Sequence, residues 1–287
     1  MHFETQGTGA PLLLIHGWGM HGGIWGQVVQ KLAESYTVHC VDLPGHGHSK
    51  LPSPVYGRGV GGEGFAQDAL PLTLSRKRGE RSEGGGAEQC LLDEIVAQLA
   101  TQFSEPLTVV GWSLGGQVAL RWAQLHPSQV KKLVLVATTP CFVQQENWGC
   151  AMAADTLQDF AASLLQNHAQ TLRRFLALQL RGSEHERELL LDLRARLFAH
   201  GEPDVAALQG GLDILRDTDM RGQLSQIAQR TLLIAGERDT LTPHAASAYM
   251  SQAMPNARLQ AVEKAAHAPF LSHPQVFMQH LKSFLNE

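Results

Sequence analysis

The sequence has no long hydrophobic run. Its longest apolar stretches, such as residues 11–15 and 133–137, are far too short to span a bilayer. It has little net charge: 23 Lys and Arg against 27 Asp and Glu leave a formal charge of −4, without the basic surplus of a nucleic-acid binder. It has only four cysteines (Cys40, Cys90, Cys141 and Cys150). They form no CxxC pair and no His–Cys spacing of a metal site, so neither a disulfide framework nor a zinc ribbon is expected. The start, Met1-His2-Phe3-Glu4-Thr5, lacks the basic region and apolar run of a secretory signal. These absences lead us to expect a cytoplasmic, reduced, monomeric protein with no nucleic-acid or membrane partner.

What is present is a sizeable core. The chain has 287 residues and 44% of them are hydrophobic, enough for one or two domains. Short apolar runs at Leu12–Ile15, Tyr36–Val41, Leu107–Val110, Lys132–Ala137, Thr231–Ala235 and Leu259–Val262 read as buried strands. Helical patterns fall at Val28–Glu34, Leu91–Phe103, Ala245–Met254 and Val276–Leu285. Buried strands alternating with helices predict an α/β fold, a mainly parallel sheet with helices on both faces. Residues 1–139 and 222–287 form this core. Cys40, inside an apolar run, is expected as a buried thiol.

Two segments break the alternation. Residues 140–221 hold no strand, but carry apolar spacing of three to four residues over Met152–His168, Gln170–Leu180 and Glu184–Ala199. A helical cap is expected there, above the strand ends where open α/β sheets bind ligands. The other segment, about residues 50–89, holds nine glycines between Gly57 and Gly86 and no period of 2 or 3.6. Composition predicts a flexible insertion, and its acids nearly cancel its bases, which argues against an electrostatic role.

The chemistry centres on Gly111-Trp112-Ser113-Leu114-Gly115. G-x-S-x-G alone occurs by chance. Here an apolar strand precedes it and a helical pattern follows, the context of a nucleophile elbow. The sharp turn projects the Ser113 hydroxyl above the sheet at a helix N-terminus, where backbone N–H groups face developing negative charge. A serine hydroxyl is a weak nucleophile near neutral pH and needs a base held by a third group. In this fold the order is Ser, acid, His. Asp239 follows the strand 231–235, and His267 follows the strand 259–262, so both reach the same sheet edge. Asp213, Asp217 and Asp219 lie in a helical or polar stretch before the strand; His244 and His273 are rival bases, and His273, preceding Pro274, looks like a helix-start position. Asp239 and His267 are therefore preferred as acid and base. The backbone N–H of Leu114 and of Trp18, in the loop His16-Gly17-Trp18-Gly19, are the expected oxyanion donors. His16 and Asp42 read as structural. No metal or organic cofactor is needed for such chemistry.

The motifs at 16–19, 41–49 and 111–116 fit many α/β-hydrolases. More specific are Pro140-Cys141-Phe142, residues 174–179 (Arg-Phe-Leu-Ala-Leu-Gln), residues 210–215 and Ala265-Ala266-His267-Ala268-Pro269-Phe270. With these the chain resembles the BioH carboxylesterases of biotin synthesis, which remove a methyl group masking the free end of a pimeloyl chain on acyl-carrier protein. The likeness covers nearly the whole chain and fails only at about 50–89, where the family is much shorter. It implies Ser113, Asp239 and His267 as the triad and Trp18 and Leu114 at the oxyanion positions. It implies a substrate site of Trp18, Ser113, Leu114 and His267 with Phe175, Leu176, Ala177, Leu178 and Gln179, and acyl-carrier protein as partner. Arg174 and Arg187 match positions that hold the acidic carrier. Gln170 and Leu191 stand where the family has two more such positions, so the docking surface is altered, with Arg173, Arg181 and Arg194 as substitutes. The plain alternative for these arginines is helix pairing, Glu184 with Arg187 or Asp192 with Arg196. Phe142, Trp148, Phe175 and Trp112 are candidate walls of an acyl channel, or ordinary core. The same triad also suits a broad short-chain carboxylesterase or a carbon–carbon bond hydrolase. A dead scaffold used for ligand binding is the reading the complete triad disfavours.

Overall fold

A computed structural model describes residues 1–51, 91–184, 186–197 and 200–287. The glycine-rich stretch expected at about 50–89 lies outside the described residues beyond Leu51. The chain opens with β1 (His2–Gln6) and β2 (Ala10–Ile15), then a 3-10 turn (Gly22–Trp25), α1 (Gln27–Ala33) and β3 (Tyr36–Asp42). After the undescribed stretch come α2 (Leu91–Gln102), β4 (Leu107–Trp112), α3 (Leu114–Leu125) and β5 (Val130–Val136). Four helices follow: α4 (Ala154–Gln166), α5 (His168–Leu180), α6 (Glu186–Leu197) and α7 (Val205–Asp217). The chain closes with β6 (Arg230–Gly236), α8 (His244–Ala253), β7 (Ala257–Val262), α9 (Pro269–Ser272) and α10 (Pro274–Leu285).

The strands form one seven-stranded sheet in the order β1-β3-β2-β4-β5-β6-β7. Only β1 runs antiparallel, on the outer edge of β3; the other pairings are parallel. The central strands carry helices on both faces, which is why they read as continuous apolar runs: every residue of β4 is buried. β1 escapes a reading by apolar runs, because it is an edge strand with its last three residues exposed.

The order also fixes where a ligand belongs. From β2 the chain moves to β3 on one side, and β4 pairs on the other. A crevice opens beyond the carboxyl ends of β2 and β4, at this switch point. Those two ends lead into Gly17-Trp18-Gly19 and into Ser113.

The four helices between β5 and β6 match the expected helical stretch, with α7 added to the three spans read from spacing. Along α5 the buried residues are Thr171, Leu172, Phe175, Leu176, Gln179 and Leu180, a single stripe at helical spacing. The helices bond directly to the sheet's loops. Trp18 Nε1 donates to the Leu208 carbonyl on α7 at 2.8 Å, and the His267 N–H donates to the Gln179 carbonyl on α5 at 3.0 Å.

Candidate active site

Ser113 sits between β4 and α3 with φ 55° and ψ −117°, a backbone conformation that a residue with a Cβ rarely adopts. Such strain costs on the order of 1–3 kcal/mol and persists only when the surroundings enforce it. Here they do. The Ser113 N–H donates to the Val136 carbonyl at 2.9 Å, and its own carbonyl accepts from Thr138 Oγ1 at 2.7 Å and from the Gly116 N–H at 2.9 Å. A Cβ at Gly111 would collide with the Gly115 carbonyl, and one at Gly115 with the Ile15 carbonyl, so the tight elbow requires both glycines. Gly17 comes so close that a Cβ there would lie 3.3 Å from Ser113 Cβ. The loop after β2 is thus pressed against the elbow.

Asp239 and His267 are brought together from the loops after β6 and β7. His267 Nδ1 lies 2.8 Å from Asp239 Oδ2, with both side chains shut off from solvent. The carboxylate is satisfied on every side. Oδ1 accepts the N–H groups of Leu241 and Thr242 at 2.9 and 3.0 Å, and Oδ2 also accepts Thr242 Oγ1 at 2.7 Å. These donors offset the carboxylate's burial. With Nδ1 committed to Asp239, the second ring nitrogen, Nε2, is left for a proton in transit. The backbone of His267 is pinned at both ends: its carbonyl accepts from Trp112 Nε1 at 2.9 Å and its N–H donates to Gln179.

Thr242, absent from the sequence-based candidates, and Trp112, a candidate there only as channel wall or core, both hold the pair in place. The sequence carries a signal for Thr242: Asp239 followed three residues later by Thr, just before Pro243, which precedes α8, is a side-chain-capped turn. Nothing in the linear sequence ties Trp112 to a carbonyl 155 residues away.

Leu114 is the first residue of α3, so its N–H has no acceptor inside the helix. Among the described residues neither it nor the Trp18 N–H has a backbone partner. Two donors without protein partners flank the elbow, the arrangement an oxyanion requires. The Trp18 ring is buried and meets Phe175 edge-on, with centroids 4.8 Å apart, and Phe160 likewise at 5.4 Å. Phe160 and Phe175 are themselves 5.7 Å apart. An aromatic trio from the β2 loop, α4 and α5 therefore stands over the switch point. Phe160 was not among the predicted walls. Beside it a cleft between α4 and α7 is lined by Val143, Leu157, Ala161, Leu212 and Arg216.

Of the predicted α5 segment, Phe175 joins this trio and Gln179 touches His267 through its carbonyl. Leu176 is fully buried in the core, and Ala177 and Leu178 are half-buried. Trp112 and Phe142 belong to the main core, whereas Trp148 packs in a separate cluster with Cys141 and Ala246. Arg174 and Arg187 are exposed on α5 and α6. Of the two expected helix pairs, Asp192–Arg196 forms at 2.8 Å, but Glu184 pairs with Lys264 at 3.4 Å rather than with Arg187. Lys264 reaches Glu184 from the loop after β7, a long-range partner that helical spacing does not reveal.

His16 and Asp42 are structural, as read. His16 Nε2 accepts the Leu43 N–H at 3.0 Å, so Nδ1 carries the proton and donates to the Gly17 carbonyl at 2.7 Å. Burial, with His46 nearby, pushes this imidazole down to about 3, so it stays neutral. Asp42 accepts the N–H groups of Gly22 and His48. Burial pushes the Cys40 thiol up to about 12, leaving it inert.

A family model described as alpha/beta hydrolase fold matches residues 10–274. The chain is 39% identical over 278 residues to the pimeloyl-acyl-carrier protein methyl ester esterase of Nitrosomonas europaea, covering 97% of this chain and 96% of that one. It is 39% identical to the enzyme of that name from Chromobacterium violaceum, covering 98% and 96%. Among solved structures, an esterase from Exiguobacterium antarcticum superposes with a TM-score of 0.81 at 22% identity, over 100% of this chain and 95% of that one. A hydrolase from Pseudomonas aeruginosa superposes with 0.74 at 26% identity, over 99% and 94%. No helix among the described residues is long and apolar enough to cross a membrane.

Proposed function

The chain belongs to the alpha/beta hydrolase fold family, and within it to the pimeloyl-acyl-carrier protein methyl ester esterases; from that premise we propose that it hydrolyses the methyl ester of a pimeloyl chain on acyl-carrier protein, releasing methanol in biotin synthesis. The observation that carries the substrate is the 39% identity over 97% of the chain, helices between β5 and β6 included, to an esterase of that name. The buried Asp239–His267 pair and the strained Ser113 elbow support the chemistry.

In this reading Ser113 Oγ attacks the ester carbonyl carbon while His267 Nε2 takes its proton. Asp239 holds the imidazole and stabilises the imidazolium. The Trp18 and Leu114 N–H groups bind the oxyanion. Collapse of the tetrahedral intermediate breaks the bond to the methoxy oxygen, and His267 returns the proton to form methanol. A water, deprotonated by His267, then attacks the acyl-enzyme and frees Ser113 and the carboxylate. Residues 140–221 act as the cap. Trp18 and Phe175 flank the acyl chain beside the scissile bond, and Leu176, Ala177, Leu178 and Gln179 complete that wall. Arg174 and Arg187 meet the acidic carrier.

The decisive experiment compares pimeloyl-carrier-protein methyl ester with p-nitrophenyl acetate. A higher kcat/KM for the carrier-bound ester supports the proposal. Equal or lower values would make the protein a broad short-chain carboxylesterase instead.

A further inference from the structure

Metal-ligand spacing is absent from the linear sequence, yet the fold assembles donors from three remote segments. Glu4 lies on β1, His48 in the loop after β3, and His200 between α6 and α7. One ligand atom from each lies within 4.8 Å of the other two. Among the described residues this is the one group of three or more His, Cys and carboxylate side chains so arranged.

The surroundings are histidine-rich. The His200 ring stacks on His48, with centroids 4.6 Å apart, and on His21, at 4.2 Å. The His2 ring meets His48 edge-on at 5.0 Å, and its Nε2 is 4.0 Å from Glu4. The roles of these rings differ. His21 is fully engaged: its Nδ1 accepts the Gly23 N–H, so its Nε2 donates to the Arg196 carbonyl. It can hold the His200 ring but cannot ligate. His200 keeps its Nδ1 closed to solvent with no hydrogen-bond partner. Glu4 and His48 are exposed and free to turn.

We propose that Glu4, His48 and His200 bind a divalent transition cation of the zinc type. Two imidazoles and one carboxylate suit zinc, nickel or copper rather than calcium or magnesium, which favour all-oxygen sites. Zinc bonds of 2.0–2.1 Å in a tetrahedron put the ligands about 3.3 Å apart, so side-chain rotation must draw the three donors inward. The fourth position falls to water or to His2. Such an ion ties the segment leading into α7 to the N-terminal edge of the sheet. Since α7 carries the carbonyl that receives the Trp18 indole, the ion braces the helices over the crevice from outside, away from Ser113.

The test uses the full chain without an affinity tag, stripped with chelator, and zinc or cobalt(II) chloride as probe. Calorimetry should give one saturable zinc site, and zinc should raise the thermal midpoint. His48→Ala and Glu4→Gln, both at exposed positions, and His200→Ala should each weaken binding by about tenfold or more. Cobalt(II) should give the visible absorption of a low-coordinate site, lost in His48→Ala. His280→Ala, on α10, should change neither, and ester turnover of the stripped variants should match the stripped parent. Absence of saturable zinc binding below millimolar concentrations would overturn the proposal. So would unchanged affinity in the His48→Ala and Glu4→Gln variants.

Discussion

His267 and Asp239 meet Nδ1 to Oδ2 at 2.8 Å, and neither side chain reaches solvent. They lie 28 residues apart, on loops leaving adjacent parallel strands, so the pairing of β6 with β7 is what sets their distance. In the proposed mechanism Asp239→Asn keeps the shape and loses the charge. We expect kcat for p-nitrophenyl esters to fall by roughly 10⁴, as in serine hydrolases where the acid is neutralised. Steady-state kinetics on the purified variant checks this, and a loss below tenfold would remove Asp239 from the site.

Ser113→Ala is expected to abolish ester hydrolysis with the fold intact by circular dichroism. Ser113→Gly should be equally inactive but more stable, by on the order of 1 kcal/mol, because glycine tolerates the positive φ at little cost. Urea denaturation of the two variants separates lost nucleophile from relieved strain. Retained turnover in either would sink the nucleophile assignment.

Thr242 donates to Asp239 Oδ2 at 2.7 Å. Thr242→Val leaves the carboxylate one donor short and the Asp239–His267 pair less firmly oriented. For p-nitrophenyl esters kcat should fall while KM changes little, and stability should drop by about 1–3 kcal/mol. An unchanged kcat would leave Thr242 a purely structural residue.

His16 is held neutral in the folded protein, its pKa lowered by burial from 6.5 to about 3. Between those values the unfolded chain binds a proton that the folded one refuses, so stability rises with pH there. Its contribution is full above about pH 6.5 and is lost as pH falls toward 3. Urea midpoints measured from pH 7 to pH 4 should decline, and less steeply in His16→Gln than in the parent.

Phe175 packs on Trp18 at 4.8 Å. Phe175→Ala should raise KM for the pimeloyl ester more than for acetyl esters, since only the longer chain loses its wall. Arg174→Glu with Arg187→Glu should lower kcat/KM for the carrier-bound substrate and flatten its dependence on salt, leaving small esters unaffected. Parallel losses on both substrates would contradict carrier docking at these two residues.

Much of this molecule is legible along the chain. Buried parallel strands announce themselves as apolar runs, because helices cover both faces of the sheet. The elbow is legible because its steric demands fall on neighbours: only glycine fits at 111 and 115 around a serine with positive φ. Asp239 and His267 are legible as an acid and an imidazole placed just past two successive strands. Edge strand β1 is less so, since its last three residues are exposed and it offers no apolar run. What tertiary structure alone decides are contacts between distant segments. Trp112 binding the His267 carbonyl, Phe160 completing the trio with Trp18, Lys264 taking Glu184, and Glu4, His48 and His200 converging outside the site all depend on how strands and helices stack. Local sequence encodes turns and periods, whose causes lie within a few residues. The partners of a side chain across the fold are set by packing, which no short window contains.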